Sequence, residues 1–289
     1  RGFSELRQEI SKYFERRFNV TYNPDTQILV TVGGSEAIDG AIRTIVSEGD
    51  EVLIPEPSFV CYNPLTRLAD GIPVTIETKA ENGFRLTAEE LESKITPKSK
   101  LLILPFPNNP TGAVMRKEHL EEIAKVVRKH NLFVLSDEIY GELTYGDTPH
   151  ISIASLEGMA ERTIVISGFS KSYAMTGWRI GYTGSSKEIA KMMGSVQSHQ
   201  TSNPNSIAQK ATVEALNGPQ DSVAAMHDEF DKRRKYMYER IQKIPLVSCI
   251  EPMGAFYVFV DAGEVLDKSY KGEKVGTVAR MAEILINEY

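Results

Sequence analysis

Cysteine is scarce in this chain of 289 residues, with only Cys61 and Cys249. They lie far apart and form no Cys-x-x-Cys pair. A zinc site and a disulfide framework are therefore not indicated, and both cysteines read as small buried hydrophobes in a reducing compartment. Basic tracts are missing too. With 33 basic against 39 acidic side chains, a net charge of −6 and a pI near 5.6, nucleic acid and anionic membranes are disfavoured as general partners. No run of about 18 apolar residues occurs, nor a charged-then-apolar leader, so no membrane span or signal peptide is read and the expectation is a cytoplasmic protein. Internal repeats and low-complexity linkers are also absent. What remains is ordinary globular material, 41% hydrophobic and 25% charged, long enough for one large domain and part of another. The chain starts inside a helix entry at Arg1-Gly-Phe-Ser-Glu-Leu6 and runs out at Ile286-Asn-Glu-Tyr289 without a stop signal, so both ends read as cut.

Apolar spacing alternates between the helical and the extended period along most of the chain. Ser4 is the expected cap of a helix over 4–18, with Leu6, Ile10, Tyr13 and Phe14 on its buried face. A β-branched strand at 28–32 runs into glycines and then a helix with the stripe Ile38, Ala41, Ile42, Ile45. Further strands are read at 50–55, 73–77, 101–104, 132–136, 163–166 and 180–183. Between them fall a helix opened by Thr87, with Glu89 and Glu90 in its first turn, and another over 117–129. Residues 187–244 read as mainly helical with a break at 199–206, followed by a strand over 252–260 and a helix over 277–289. The fold class expected is α/β, a mainly parallel sheet sandwiched by helices.

Ligand-type residues recur where strands end. Gly33-Gly34-Ser35 stands between a strand and a helix, where backbone N–H groups can seat an anion, although a plain strand-to-helix turn has the same look. Phe59 alone reads as a core aromatic. The stretch from Pro105 to Gly112 is too rich in proline and asparagine for regular structure and lies at a strand's carboxyl end, where α/β proteins bind ligands. Asp137 closes an apolar strand, which is costly unless the carboxylate has a partner. That partner is either a helix N-terminus that it caps or a cationic group such as a protonated pyridine nitrogen.

The most informative stretch is Ser167-Gly-Phe-Ser-Lys-Ser-Tyr-Ala-Met-Thr-Gly-Trp-Arg-Ile-Gly-Tyr182, whose only cations are Lys171 and Arg179. A lysine where a buried strand ends is partly desolvated, which lowers its pKa and suits it to attack a carbonyl; the alternative is a solvated surface lysine. Arg179 offers a planar fork for a phosphate, with the hydroxyls of Ser170 and Ser167 nearby. This segment resembles the lysine segment of the fold type I pyridoxal-phosphate aminotransferases, class I/II. Gly33-Gly34-Ser35, Phe59, Asn109-Pro-Thr-Gly112, Asp137-x-x-Tyr140, Lys171 and Arg179 follow in that family's order.

The resemblance implies pyridoxal 5'-phosphate as cofactor. In it Lys171 holds the Schiff base and shuttles the proton, Asp137 pairs with the pyridine nitrogen, and Tyr140 and Asn109 reach the phenolic oxygen. Phe59 stacks on the ring, and Gly33, Gly34, Ser35, Ser167, Ser170 and Arg179 surround the phosphate. It further implies a large cofactor-binding domain over 1–245, a truncated small domain over 246–289, a homodimer, and transamination between an L-amino acid and a 2-oxo acid. Ser198 to Gln209 looks most like the bacterial aspartate-type branch, which points to aspartate with 2-oxoglutarate; aromatic amino acids, a C–S β-lyase, a decarboxylase and an amino-acid-sensing domain are the alternatives. Two departures stand out. Gly168 occupies the place where many members carry a phosphate-binding serine or threonine, and the family's N-terminal lid and C-terminal carboxylate-binding arginine fall outside this chain.

Overall fold

The computed structural model describes residues 1–147 and 149–288. Seven strands form one sheet: β1 (Ile28–Thr31), β2 (Glu51–Glu56), β3 (Ile72–Glu77), β4 (Ser99–Leu104), β5 (Phe133–Asp137), β6 (Thr163–Gly168) and β7 (Gly181–Gly184). Their spatial order is β1-β7-β6-β5-β4-β2-β3. Only β7 runs against its neighbours, and the other pairings are parallel.

A parallel sheet must be covered on both faces, and its strands are accordingly apolar on both. Leu101 and Ile103 of β4 pack on one side with Ala37, Ile38, Ala41 and Ile42 of α2 (Gly33–Ile45) and Ile189 and Met193 of α3 (Lys187–Gln200). Leu102 and Leu104 pack on the other with Leu91 of α4 (Ala88–Lys94) and Leu120, Ile123 and Val127 of α5 (Lys117–Lys129). Each such side chain, fully buried, contributes about 1.5–3 kcal/mol. A third cluster joins Leu6, Ile10 and Phe14 of α1 (Ser4–Phe18) to Val30, Tyr182 and α6 (Ser206–Asn217) at the β1 edge. Thr87 accepts from Glu90 N at 3.2 Å and Glu90 answers at Thr87 N at 3.0 Å, the expected capping box.

Three expectations are corrected. Ser4 does not cap α1: it is the first helical residue, the N-cap is Phe3 without a side-chain cap, and the Phe3 N–H is anchored by Gln209 Oε1 at 2.7 Å. Residues 252–259 are not a strand: Gly254 makes a single antiparallel bridge with Thr144, and regular strand pairing is confined to Val260–Asp261 with Ser248–Cys249. The backbone of 253–255 is instead held by loops: Met253 and Gly254 donate to Gly112 O at 3.0 and 2.9 Å, and Ala255 donates to Leu143 O at 2.8 Å. Cys61 and Cys249 are half-buried rather than buried. The final helix covers Val278–Glu288, so the Tyr289 end of its expected span lies outside the described residues.

Candidate active site

The carboxyl ends of the parallel strands open on a cavity of ≈ 190 Å³. β5 delivers Asp137 and the turn to Tyr140, β6 delivers Ser170 and Lys171, and the loops after β2 and β4 deliver Phe59 and Asn109. The reversed strand matters here. Because β7 is antiparallel, with Gly181 opposite both Thr31 and Gly168, its start lies at this same edge and brings Arg179 beside Gly34 and Ser35 at the start of α2.

Asp137 is 7% exposed. Its Oδ2 accepts from Tyr62 Oη at 2.8 Å and its Oδ1 from Ile139 N at 3.2 Å, so it supports the following turn while its carboxylate lines the cavity. Burial pushes its pKa up to about 6, against the pull of the two hydrogen bonds. Glu138, next in sequence, has different neighbours: it accepts from Ser136 and Ser152 hydroxyls at 2.8 and 2.7 Å and meets His150 Nε2 at 2.8 Å. Adjacent acids thus serve two different environments.

Lys171 sits in the one-turn helix Phe169–Ser172 that follows β6 and is half-buried. Burial, then the charge of Arg179, lowers its pKa. Its Nζ lies 5.3 Å from the Phe256 ring centre and 5.8 Å from that of Tyr140, faces that tolerate an ammonium without pairing it.

Arg179 has a left-handed backbone (φ 54°) and donates through Nη1 to Thr176 O at 2.9 Å. It lies against Gly33, itself at φ +77°, where an added Cβ would come within 2.3 Å of Nη2. A glycine at 33 is therefore what allows the guanidinium to rest on the helix start.

The two asparagines divide their tasks. Asn108 is buried and holds its own turn, accepting from Thr111 N and Oγ1 at 3.1 and 2.8 Å. Asn109 faces the cavity and its amide acts on the Tyr140 hydroxyl. Tyr140 Oη is also 3.0 Å from Tyr257 Oη.

Of the sequence-predicted residues, Gly34, Ser35, Phe59, Asn109, Asp137, Tyr140, Ser170, Lys171 and Arg179 line the one cavity. Gly33 does not line it and acts beneath Arg179. Ser167 is not there either: its hydroxyl donates to Glu138 O at 3.4 Å. At Gly168 a Cβ would meet Ile180 O at 3.0 Å, which leaves little room for a larger residue. Phe59 is 36% exposed rather than a core residue, with its ring edge-to-face on Tyr62 at 5.9 Å. Sequence reasoning missed Tyr62 and Tyr257. A tyrosine three residues after Phe59 at a helix start is a signal for the first, since a buried hydroxyl demands a partner; the second carries none, because a strand was expected there.

The arrangement combines an amine of lowered pKa, a buried carboxylate for a cationic nitrogen, and a guanidinium over a helix N-terminus for a dianion. Known proteins resemble the chain as a whole. The chain is 46% identical over 258 residues to YugH of Bacillus subtilis (strain 168) and 42% identical over 264 residues to the aspartate aminotransferase of Geobacillus stearothermophilus. These matches cover 89% and 91% of this chain, which spans 66% and 67% of those relatives' lengths. The solved aspartate aminotransferase from Rhizobium meliloti superposes with a TM-score of 0.95 at 37% identity, covering 99% of this chain and 72% of that one. The model of the family described as aminotransferase class I and II, which is pyridoxal-phosphate-dependent, matches residues 1–289. With a family match over its whole length and a cavity built from its strand ends, this chain belongs to the class I and II aminotransferases.

Proposed function

We propose that this chain binds pyridoxal 5'-phosphate and serves transamination between an L-amino acid and a 2-oxo acid, with aspartate and 2-oxoglutarate as the preferred pair. One observation carries the reading: Lys171, Asp137 and Arg179 line the same small cavity. When bound, the cofactor supplies an aldehyde for the amines and a protonated ring that draws electrons from the substrate's Cα–H bond.

The residues present fit that group. Asp137, ionised at neutral pH with a pKa of about 6, would hold the ring N–H through a carboxylate that Tyr62 keeps oriented. Arg179, Ser170, Gly34 and Ser35 would hold the phosphate, with Ser170 rather than Ser167 as the hydroxyl. Phe59 would cover a ring face, while Asn109 and Tyr140 would hold the phenolic oxygen. Lys171 Nζ, its pKa lowered by burial, would take the proton from the substrate α-carbon as a free base. The apolar lining of Ile38, Pro105, Pro107 and Ile139 limits water around these groups.

Names of similar proteins support aspartate without deciding it. Matches at 41–42% identity include aspartate aminotransferases and an aromatic-amino-acid aminotransferase from Thermococcus litoralis. We further propose a homodimer in the cytoplasm. Exposed Trp178 and Ile207, 47% and 73% accessible beside Arg179, support an apolar contact at the site's rim. Residues 1–245 as cofactor domain and 246–289 as the start of a smaller one are supported by the end of the long helix α7 (Asp221–Ile241).

The test is the visible absorption of the purified chain with pyridoxal phosphate, before and after L-aspartate or L-phenylalanine. A band that aspartate converts to the amine form of the cofactor supports the reading, and the faster donor sets the specificity. No band at all removes Lys171 from its role, and release of a thiol, pyruvate and ammonia from a cysteine S-conjugate would replace transamination by β-elimination.

A further inference from the structure

The segment that was expected to be a strand enters the site instead. Gly112, at φ +70°, packs so closely on Pro252 that a Cβ there would lie 2.4 Å away, and its carbonyl accepts from Met253 and Gly254. Tyr145 donates to Ala255 O at 2.5 Å, and Arg234 Nη1 donates to Pro252 O at 3.0 Å. Phe256 stacks on Phe230 of α7 with ring centres 5.3 Å apart. These contacts from three sides pin residues 252–256, and the next residue, Tyr257, lines the cavity with its hydroxyl 3.0 Å from that of Tyr140.

A phenol has one hydrogen to give and two lone pairs to receive. Asn109 lines the same cavity and favours ionisation of Tyr140, the effect of a donor aimed at that oxygen. If Tyr257 donates as well, both acceptor positions of that oxygen are filled and its own hydrogen must point elsewhere, into the cavity. The charged and titratable groups facing Tyr140 are Lys171, Asp137, Tyr62 and Tyr257. Of these, Tyr257 is the one hydrogen-bonded to its hydroxyl.

We propose that Tyr257 is a positioning residue: donating to Tyr140 together with Asn109, it directs the Tyr140 hydrogen toward the bound ligand's phenolic oxygen. The inference rests on the proposed cofactor reading. Its role is exerted through Tyr140, which makes it separable from packing. A chain of hydrogen bonds strengthens each member, so losing the Tyr257 hydroxyl weakens the bond that Tyr140 makes.

The experiment is a double-mutant cycle on the cofactor-loaded chain, with Tyr257→Phe, Tyr140→Phe and both together, reading the pH midpoint of the cofactor's visible band rather than turnover. Tyr257→Phe is expected to raise the midpoint by about half a unit to one unit, the size of one neutral hydrogen bond. Tyr140→Phe is expected to raise it further, and the double variant to match Tyr140→Phe alone. Tyr257→His, which keeps a ring N–H, is expected to bring the midpoint part of the way back. The far-ultraviolet circular dichroism of each cofactor-free variant checks the fold independently. An unshifted midpoint in Tyr257→Phe, or shifts that add in the double variant, overturns the proposal. A wild-type chain with no visible band would instead overturn the cofactor reading, so the two failures are distinct.

Discussion

Tyr62 donates its hydroxyl to Oδ2 of Asp137 across 2.8 Å, joining residues 75 apart in sequence at the floor of the cavity. The bond favours the ionised carboxylate in a place where burial disfavours it. Tyr62→Phe should therefore move the Asp137 pKa higher than about 6 and leave less carboxylate at neutral pH. Hydrogen bonds to charged groups contribute about 1.5–3 kcal/mol, so pyridoxal phosphate should bind on the order of tenfold more weakly or worse. Quenching of the single tryptophan, Trp178, beside Arg179, reads the affinity. Unchanged binding would show that Asp137 needs no orienting partner.

Asp137 also makes a prediction about stability. Its folded pKa is raised from 3.8 to about 6, so the native chain holds this proton more tightly than the unfolded chain does. That contribution is fully present below the unfolded pKa and is lost as pH rises through about 6. Asp137→Asn has no such proton to lose. In the cofactor-free state its stability advantage over wild type should grow by on the order of 2–3 kcal/mol between roughly pH 4 and pH 7, measured by urea unfolding. A pH-independent difference would contradict the burial argument.

Gly33→Ala forces a Cβ to within 2.3 Å of Arg179 Nη2 at a left-handed backbone position. The guanidinium must move. Pyridoxal phosphate is expected to bind about 10- to 100-fold more weakly, while phosphate-free pyridoxal binds as before. At Gly40, further along α2 and outside the cavity, an added Cβ meets only Met193 Cε, at 3.6 Å, so Gly40→Ala is the control that should leave affinity nearly unchanged. Equal losses for both ligands would place the effect outside the phosphate seat.

Neighbouring asparagines should respond in opposite ways. Asn108→Ala removes the acceptor for Thr111 N and Oγ1 and should cost about 1–3 kcal/mol of stability. Asn109→Ala makes no such loss and should leave the urea midpoint in place while shifting the cofactor's spectrum. The measurement is a pair of unfolding curves and a pair of absorption spectra. Reversed roles would mean that the turn is held from its second asparagine.

Much of this site was legible before any coordinates. The strands at 101–104 and 132–136 were read from unbroken apolar runs, because a strand covered on both faces has no polar side to hide the signal. Asp137 stood out since an acid at the end of such a run needs a partner, and Lys171 and Arg179 since they are the only cations in their segment. Where sequence reasoning went wrong, the deciding contact was distant: Gln209 anchors the N–H of Phe3 just before α1, Glu138 O takes the Ser167 hydroxyl, and Gly112 with Leu143 holds 253–255 in a single bridge to Thr144 rather than a strand.

By itself the order of residues determined the α/β alternation, the loop ends that carry ligand-type groups, and the family, because hydrophobic period and turn chemistry are local properties. Which hydroxyls face the cavity was decided only by tertiary structure. Tyr62, Tyr140 and Tyr257 come from three separate parts of the chain, and a hydroxyl's partner depends on the packing that brings another polar atom within about 3 Å of it.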